Sequence, residues 1–291
     1  MSAVTQTLLH SNPVPRSFTP EQSPYDIVMV DVTHRCNMTC ANCYLPNRVI
    51  PDVDARWLSS MFSRLRKGTF IRLTGGEATL RHDLPDIIRD VRAQGLHPVV
   101  MTNGLKLADR AYVRELKKAG MQVCYLSFSG GFDDDLYDAI DEMRCAEKKR
   151  LAFENLRAEH VFTSIGMILV PGLNESAITA TWKEIERSRN VRELHLRAVG
   201  AMGRHMTTPP AKLHQMMDAF CVAAGATPES IELQARTGIT RQSNAQEFFF
   251  GRVHVQMTEW PDLGSTRRGR LTPEGLVAPF MEHIIANDGG Y

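Results

Sequence analysis

The sequence predicts an α/β protein whose central sheet is mostly parallel. Short apolar runs, typical of buried strands, alternate with amphipathic stretches that have helical spacing. The alternation runs through residues 25–205, and polar loops follow the apolar runs. A strand–helix–strand order of this kind is the pattern of a parallel sheet covered by helices. This alternation of strands and helices is equally consistent with a partial β/α barrel and with a doubly wound sheet.

Each element is predicted from its apolar spacing and from the Pro and Gly residues at its ends. The predicted strands are 25–32, 69–73, 97–101, 122–128, 162–170 and 191–196. The predicted helices between them are 55–67, 84–94, 109–119, 134–159 and 175–189. Later in the chain we expect a helix at 211–224, a strand at 249–258 and a hairpin at 271–280. These elements define three regions: a poorly ordered, proline-rich arm at 1–24, a repeat domain at 25–205 and an appended region at 206–291.

Composition and charge exclude several classes of protein. The 291 residues contain 34 Lys+Arg and 33 Asp+Glu, which gives a net charge of +1. This balance argues against a protein that binds nucleic acid through a broad positively charged surface. No run of apolar residues is long enough for a transmembrane helix, so we expect no membrane partner. The first 20 residues lack the basic and apolar parts of a signal peptide, and we therefore expect a cytoplasmic protein. The six cysteines are too few for a disulfide scaffold in a chain of this length.

Three of the six cysteines form a C-x3-C-x2-C motif directly after the first predicted strand: Cys36, Cys40 and Cys43. The residues between them are mostly polar, which is against an interpretation as small buried side chains. A zinc site would need a fourth ligand, and His34 is available, but the second C-x2-C pair typical of zinc sites is missing. An iron–sulfur cluster held by three thiolates would leave one iron without a protein ligand, and an open metal position is a catalytic feature.

This motif, after the first strand of a β/α repeat, resembles that of the radical S-adenosylmethionine (SAM) superfamily. The resemblance implies a partial (βα)6 TIM-like barrel for the repeat domain, and we expect the appended region to be a C-terminal α+β extension that caps the barrel mouth. It also implies one [4Fe–4S] cluster held by Cys36, Cys40 and Cys43, whose unique iron binds SAM. In this family an electron, from a donor such as a flavodoxin or ferredoxin, cleaves SAM to a 5′-deoxyadenosyl radical that abstracts hydrogen from the substrate.

The resemblance also assigns SAM contacts along the next strands. Gly75, Gly76 and Glu77 match the family's Gly-Gly-Glu motif, in which the glycines admit the methionine part and the carboxylate binds its ammonium group. The other assigned contacts are Tyr44, Thr102, Asn103, Ser127, Ser129 and Arg197. Two positions depart from the family pattern: Asn42 replaces an aromatic residue, so Tyr44 is the candidate for adenine packing, and Ser129 replaces an aspartate.

The remaining cysteines and the tail refine the hypothesis. Cys124, Cys145 and Cys221 are scattered and cannot bind a second four-cysteine cluster, so we expect one cluster. The tail carries one aromatic and three basic side chains that either cover the surface or bind an anionic substrate group: Trp260, Arg267, Arg268 and Arg270. The short arm before the repeats favours a small-molecule substrate over a peptide.

The sequence therefore predicts a radical SAM enzyme that acts on a small, anionic molecule in specialised metabolite or cofactor biosynthesis. One alternative is modification of a ribosomally made peptide. Another is a non-catalytic protein that binds zinc or an iron–sulfur cluster.

Overall fold

The computed structural model describes residues 17–43, 45, 49–200, 208–235, 238–242, 244–260 and 267–279. Within these ranges the strands are β1 Ile27–Thr33, β2 Phe70–Gly75, β3 His97–Thr102, β4 Val123–Ser127, β5 Phe162–Leu169, β6 Val191–Ala198, β7 Thr240–Arg241, β8 Ala245–Phe250, β9 Val253–Thr258, β10 Arg268–Leu271 and β11 Val277–Pro279. The helices are α1 Ala55–Phe62, α2 Leu84–Ala93, α3 Arg110–Ala119, α4 Asp134–Asp141, α5 Ala146–Ala158, α6 Glu175–Arg187, α7 Leu213–Ala224 and α8 Pro228–Gln234. Most of the arm and the predicted SAM contact Tyr44 lie outside the described residues.

The sheet confirms the partial barrel. Its strand order is β11-β10-β1-β2-β3-β4-β5-β6-β9-β8-β7, and β1 to β6 are neighbours in chain order. Each of these six strands pairs in parallel with the next, for example Val28 with Ile71. Parallel neighbours need a crossover connection, which the helices supply. In the described part of the chain the two ends of the sheet do not pair, so the barrel is open on one side.

Local chemistry explains where the helices begin and end. The Asp54 carboxylate accepts the Trp57 N–H at 2.9 Å at the start of α1, and Asp109 accepts the Ala111 N–H at 2.8 Å at the start of α3. Gly120 ends α3 with φ +117°, a conformation that glycine adopts without strain. The packed core lies between these helices and the outer face of the sheet, where Val28, Leu73 and Leu126 are fully buried.

The structure corrects two element predictions. The helix expected at 134–159 is divided into α4 and α5, because Glu142 takes the left-handed conformation (φ 54°) and ends the first helix. The strand expected at 249–258 is the hairpin of β8 and β9, with Gly251 in its turn. The sequence prediction also missed α8, although Thr227 followed by Pro228 is an ordinary helix start.

The strands of the extension join both edges of the sheet, a pairing that the sequence did not predict. β9 pairs in parallel with β6, and β10 pairs in parallel with β1. An edge strand presents unpaired N–H and C=O groups, and these pairings satisfy them. None of the helices in the described ranges is both long and apolar enough to cross a membrane.

Candidate active site

A cavity of about 260 Å³ lies at the carboxyl ends of the strands and collects the predicted site. All but one of the predicted residues within the described ranges line it: Cys36, Cys40, Cys43, Gly75, Gly76, Glu77, Thr102, Asn103, Ser127, Ser129, Arg197, Trp260, Arg268 and Arg270. The exception is Arg267, whose exposed guanidinium lies 3.9 Å from Asp26. The carboxyl ends of parallel strands meet at one edge of a sheet, and this brings residues from distant parts of the chain together.

Hydrogen bonds fix the loop that carries the three cysteines. At its start the Arg35 guanidinium donates to both Asp52 oxygens, at 3.0 and 2.5 Å. In its middle the Asn37 side-chain oxygen accepts from Asn103 Nδ2 at 2.8 Å, which ties the loop to the end of β3. Further along, the Ala41 N–H donates to the Ile140 carbonyl at 3.0 Å. The loop is therefore held against β3 and against the last turn of α4.

Gly75 and Gly76 are required by the cysteine loop itself. A Cβ at Gly75 would lie 2.0 Å from the Thr33 carbonyl oxygen, and a Cβ at Gly76 would lie 2.3 Å from that of Arg35. The Gly76 and Glu77 N–H groups donate to the same two carbonyls, each at 2.8 Å. We predicted that these glycines make room for a cofactor. The structure shows a nearer neighbour, the backbone that leads into Cys36.

Glu77 is buried, and both of its carboxylate oxygens accept hydrogen bonds. Oε1 accepts from the Thr79 N–H at 3.1 Å, the Thr79 hydroxyl at 2.6 Å and the Thr102 hydroxyl at 2.7 Å. Oε2 accepts from the Asn103 N–H at 2.7 Å. The carboxylate thus joins the ends of β2 and β3 and holds Thr102 and Asn103 in place beside the cysteine loop.

The three thiols are half-buried and free of disulfides. Cys36 and Cys40 pack against apolar side chains that include Met38 and Tyr137. Burial raises the pKa of the Cys40 thiol, and the nearby Asp141 carboxylate raises it further. Thiolates are the ligands that iron–sulfur clusters require, and binding to iron removes the proton that burial favours.

The donor set does not match a single zinc ion. No group of three His, Cys, Asp or Glu side chains in the described part of the chain could hold one metal ion. A mononuclear zinc site brings all its ligands to within about 2.3 Å of one atom. In a cluster each thiolate binds a different iron, so the ligands stand farther apart.

Ser129 and Asn174 connect β4 to β5 on the far side of the cavity. The Ser129 hydroxyl accepts the Ile168 N–H at 3.0 Å. The Asn174 side chain donates to the carbonyls of Ser129 and Ile168, both at 2.8 Å, and accepts from the Val170 N–H at 2.9 Å. Ser129, which replaces the aspartate usual in the family, therefore has a structural partner in this chain.

The barrel interior is polar where barrels of this type usually carry branched apolar side chains. The buried His195 ring lies between the Tyr125 hydroxyl, 3.3 Å from Nδ1, and the Thr258 hydroxyl, 2.9 Å from Nε2. Burial holds the pKa of His195 well below its usual value, and Arg197 lowers it further, so the imidazole is neutral. Tyr125 and Thr258 line the cavity, yet their sequence context gave no sign of a site.

Arginines converge on this interior. The Arg72 and Arg197 guanidiniums lie 5.7 and 5.9 Å from the centre of the Tyr125 ring. The Nε of Arg197 is buried and has no hydrogen-bond partner. Arg268 lines the same cavity, and its charge lowers the pKa of both Arg72 and His195. Arg72 was not among the predicted residues, although an arginine inside an otherwise apolar strand is a detectable signal.

Arg270 differs from these arginines because its charge is neutralised. Its side chain is fully buried and forms an ion pair with Asp31 of β1. A buried charge of this kind persists only when it is paired. Arg270 therefore ties β10 to β1, and Arg197 and Arg268 line the same cavity.

Comparison with known proteins gives a consistent result. The family model described as "Radical SAM superfamily" matches residues 30–185, more than half of the chain. A GTP 3′,8-cyclase of Limosilactobacillus fermentum is 33% identical over 278 residues, which cover 87% of this chain and 78% of the cyclase. A 7,8-dihydro-6-hydroxymethylpterin dimethyltransferase of Methanocaldococcus jannaschii is 31% identical over 159 residues, 51% of this chain. The chain spans only about a third (31%) of the length of that methyltransferase.

A solved structure agrees on the fold. Streptococcus suis SuiB bound to S-adenosylmethionine superposes with a TM-score of 0.57 at 11% identity, over 86% of this chain and 59% of SuiB. The match of the family model shows that this protein is an enzyme whose cofactors are a [4Fe–4S] cluster and SAM. The chain belongs to the radical SAM superfamily.

Proposed function

We propose that this enzyme abstracts hydrogen from a small anionic molecule in the biosynthesis of a metabolite or cofactor. In this proposal Cys36, Cys40 and Cys43 hold the cluster, and the methionine end of SAM lies along Gly75–Glu77. When bound, the cluster and SAM supply reductive cleavage and hydrogen abstraction. A donor such as a flavodoxin or ferredoxin provides the electron, and we place the enzyme in the cytoplasm.

The observation that carries the proposal is the convergence of Arg72, Arg197 and Arg268 inside the barrel. Like charges that share a confined, partly desolvated space destabilise one another. The buried Nε of Arg197 also lacks an acceptor. A phosphate or carboxylate group supplies the acceptor that Arg197 lacks, and guanidinium groups bind such groups in a bidentate manner.

The neutral histidine supports the same interpretation. His195 adds no fourth positive charge beside the arginines, because burial keeps it unprotonated. Its two ring nitrogens are engaged by Tyr125 and Thr258, so the ring fixes the orientation of both hydroxyls at the cavity. These hydroxyls give the site neutral hydrogen-bonding groups next to its cationic ones.

The names of the relatives favour a small substrate over a peptide. The L. fermentum cyclase is named for GTP, a nucleotide, and the M. jannaschii methyltransferase for a pterin. The alternative is modification of a ribosomal peptide, since SuiB has also been solved with its precursor peptide SuiA. That likeness is 14% in sequence and concerns the fold.

Hydrogen transfer distinguishes these substrates. The reconstituted enzyme is incubated with SAM, dithionite and either deuterated phosphorylated small molecules or deuterated peptides. Deuterium is then measured in the 5′-deoxyadenosine that forms. We expect transfer from an anionic small molecule, and about a tenfold or greater loss of its binding in Arg197→Met. Arg192→Met, an exposed arginine on the same strand, is the matched control. Deuterium transfer from peptides alone, or full binding by Arg197→Met, would contradict the proposal.

A further inference from the structure

A second cavity, of about 240 Å³, opens inside the barrel near the amino ends of β6 and β9. Its lining includes Arg72, Glu193 and Gln256. Thr258 and Arg268 line this cavity and the first one. The two cavities are therefore neighbours, with Thr258 and Arg268 between them.

Glu193 lines this cavity and has a carboxylate oxygen that accepts no hydrogen bond. Its Oε1 is buried and has no hydrogen-bond partner. Its Oε2 lies 3.9 Å from Nδ1 of His254, which is longer than a hydrogen bond. A buried acceptor without a donor costs free energy, and a ligand N–H would remove that cost.

Arg72 presents the complementary group. In the described part of the chain its guanidinium makes no hydrogen bond or ion pair, and it lies 5.7 Å from the centre of the Tyr125 ring. Burial lowers the pKa of Arg72, and the Glu193 carboxylate opposes that shift. Arg72 and Glu193 thus interact through space without forming an ion pair, and a ligand between them can offer an acceptor to one and a donor to the other.

The neighbouring carboxylate is already satisfied. Glu247 Oε2 accepts from Gln256 Nε2 at 3.1 Å and lies 3.3 Å from His254 Nε2. The two acids share one cavity and carry the same charge, but only Glu193 has a buried oxygen without a donor. This difference makes Glu193 the group that selects a ligand.

We propose that the second cavity binds a planar head group whose N–H donors stand beside a carbonyl oxygen, the edge found in guanine and pterin rings. Glu193 accepts from the N–H groups, and Arg72 donates to the carbonyl. An amine alone would leave Arg72 without an acceptor, and a carboxylate alone would leave Glu193 without a donor. This inference rests on the proposed function, since the anionic end of the same molecule lies at Arg197 and Arg268.

Calorimetric titration tests the inference with two nucleotides, GTP and ITP. They differ only in the exocyclic amino group, which ITP lacks. The reconstituted holoenzyme is titrated anaerobically with SAM present and without reductant, so that binding is measured apart from turnover. We expect GTP to bind about tenfold or more tightly than ITP, because ITP leaves a charged acceptor without one of its donors.

Two matched variants locate the preference. Glu193→Gln should bind GTP and ITP equally, whereas Glu247→Gln, which removes the same charge from the same cavity, should keep the preference for GTP. Circular dichroism melting verifies that both variants are folded. Equal binding of the two nucleotides by the native enzyme, no binding of either, or a preserved preference in Glu193→Gln would overturn the inference. Failure of the proposed function would show differently, as an absence of deuterium transfer from every small anionic molecule.

Discussion

Replacement of Glu77 by glutamine tests whether this residue serves the structure before any cofactor is bound. The carboxylate accepts four hydrogen bonds, three at Oε1 and one at Oε2. Glutamine can keep the oxygen that accepts three of them, but its NH2 group then faces the Asn103 N–H, which loses its acceptor. A buried hydrogen bond to a charged group contributes about 1.5–3 kcal/mol, and an orphaned buried donor costs about 1–3 kcal/mol.

These two terms overlap, because the first already includes part of the second, so we expect Glu77→Gln to lower the free energy of unfolding by about 2–3 kcal/mol. In chains of about this size each kcal/mol shifts the melting temperature by about 2–4 °C, which predicts a decrease of roughly 4–12 °C. The assay is thermal unfolding of the protein without cluster or SAM, followed by circular dichroism. Glu115→Gln, at an exposed position of α3, should melt like the native protein.

The result also separates two roles for Glu77. If the residue only bound the SAM ammonium group, its replacement would leave melting unchanged in the absence of SAM. A Glu77→Gln protein that melts within a degree of the native one would therefore refute the network described above.

Two further predictions concern the loop and the buried histidine. Gly76→Ala should bind much less iron on reconstitution than the native protein, because the new Cβ would lie 2.3 Å from the Arg35 carbonyl oxygen. Gly68→Ala is the control: its φ of +86° also strains alanine, but no atom lies within 4 Å of the new Cβ, so it should bind iron normally. Equal iron contents in the two variants would contradict this prediction. His195 has a folded-state pKa well below the unfolded value of about 6.5, so the unfolded chain takes up the proton first as the pH falls. The free energy of unfolding should therefore decrease below about pH 6.5 by up to ~1.4 kcal/mol per pH unit. In urea titrations at several pH values, His195→Asn should weaken this pH dependence, whereas the exposed His160→Asn should leave it unchanged.

The part of the site formed by strand ends could be predicted from sequence. The cysteine motif and Gly75–Glu77 each follow a strand, and parallel strands place their carboxyl ends together. The helical periodicity over 134–159 was also correct, but it concealed the break at Glu142. That break depends on one left-handed residue that no apolar pattern marks.

The barrel interior could not be predicted, because it depends on which strands pair across long distances in the chain. His195 and Thr258 are 63 residues apart and meet because β9 joins β6. Arg270 and Asp31 are 239 residues apart and meet because β10 joins β1. Local spacing carries no information about such pairings, so the tail arginines could be named in advance but their partners could not.

Reconstitution of the cluster tests the account most directly. Anaerobic incubation with iron and sulfide should give about four irons per chain, and addition of SAM and dithionite should yield 5′-deoxyadenosine. Cys40→Ala should lose both the iron and the product, whereas Cys221→Ala, a buried cysteine of α7, should keep both. One zinc and no iron in the native protein, or 5′-deoxyadenosine formed by Cys40→Ala at the native rate, would contradict a single cluster held by Cys36, Cys40 and Cys43.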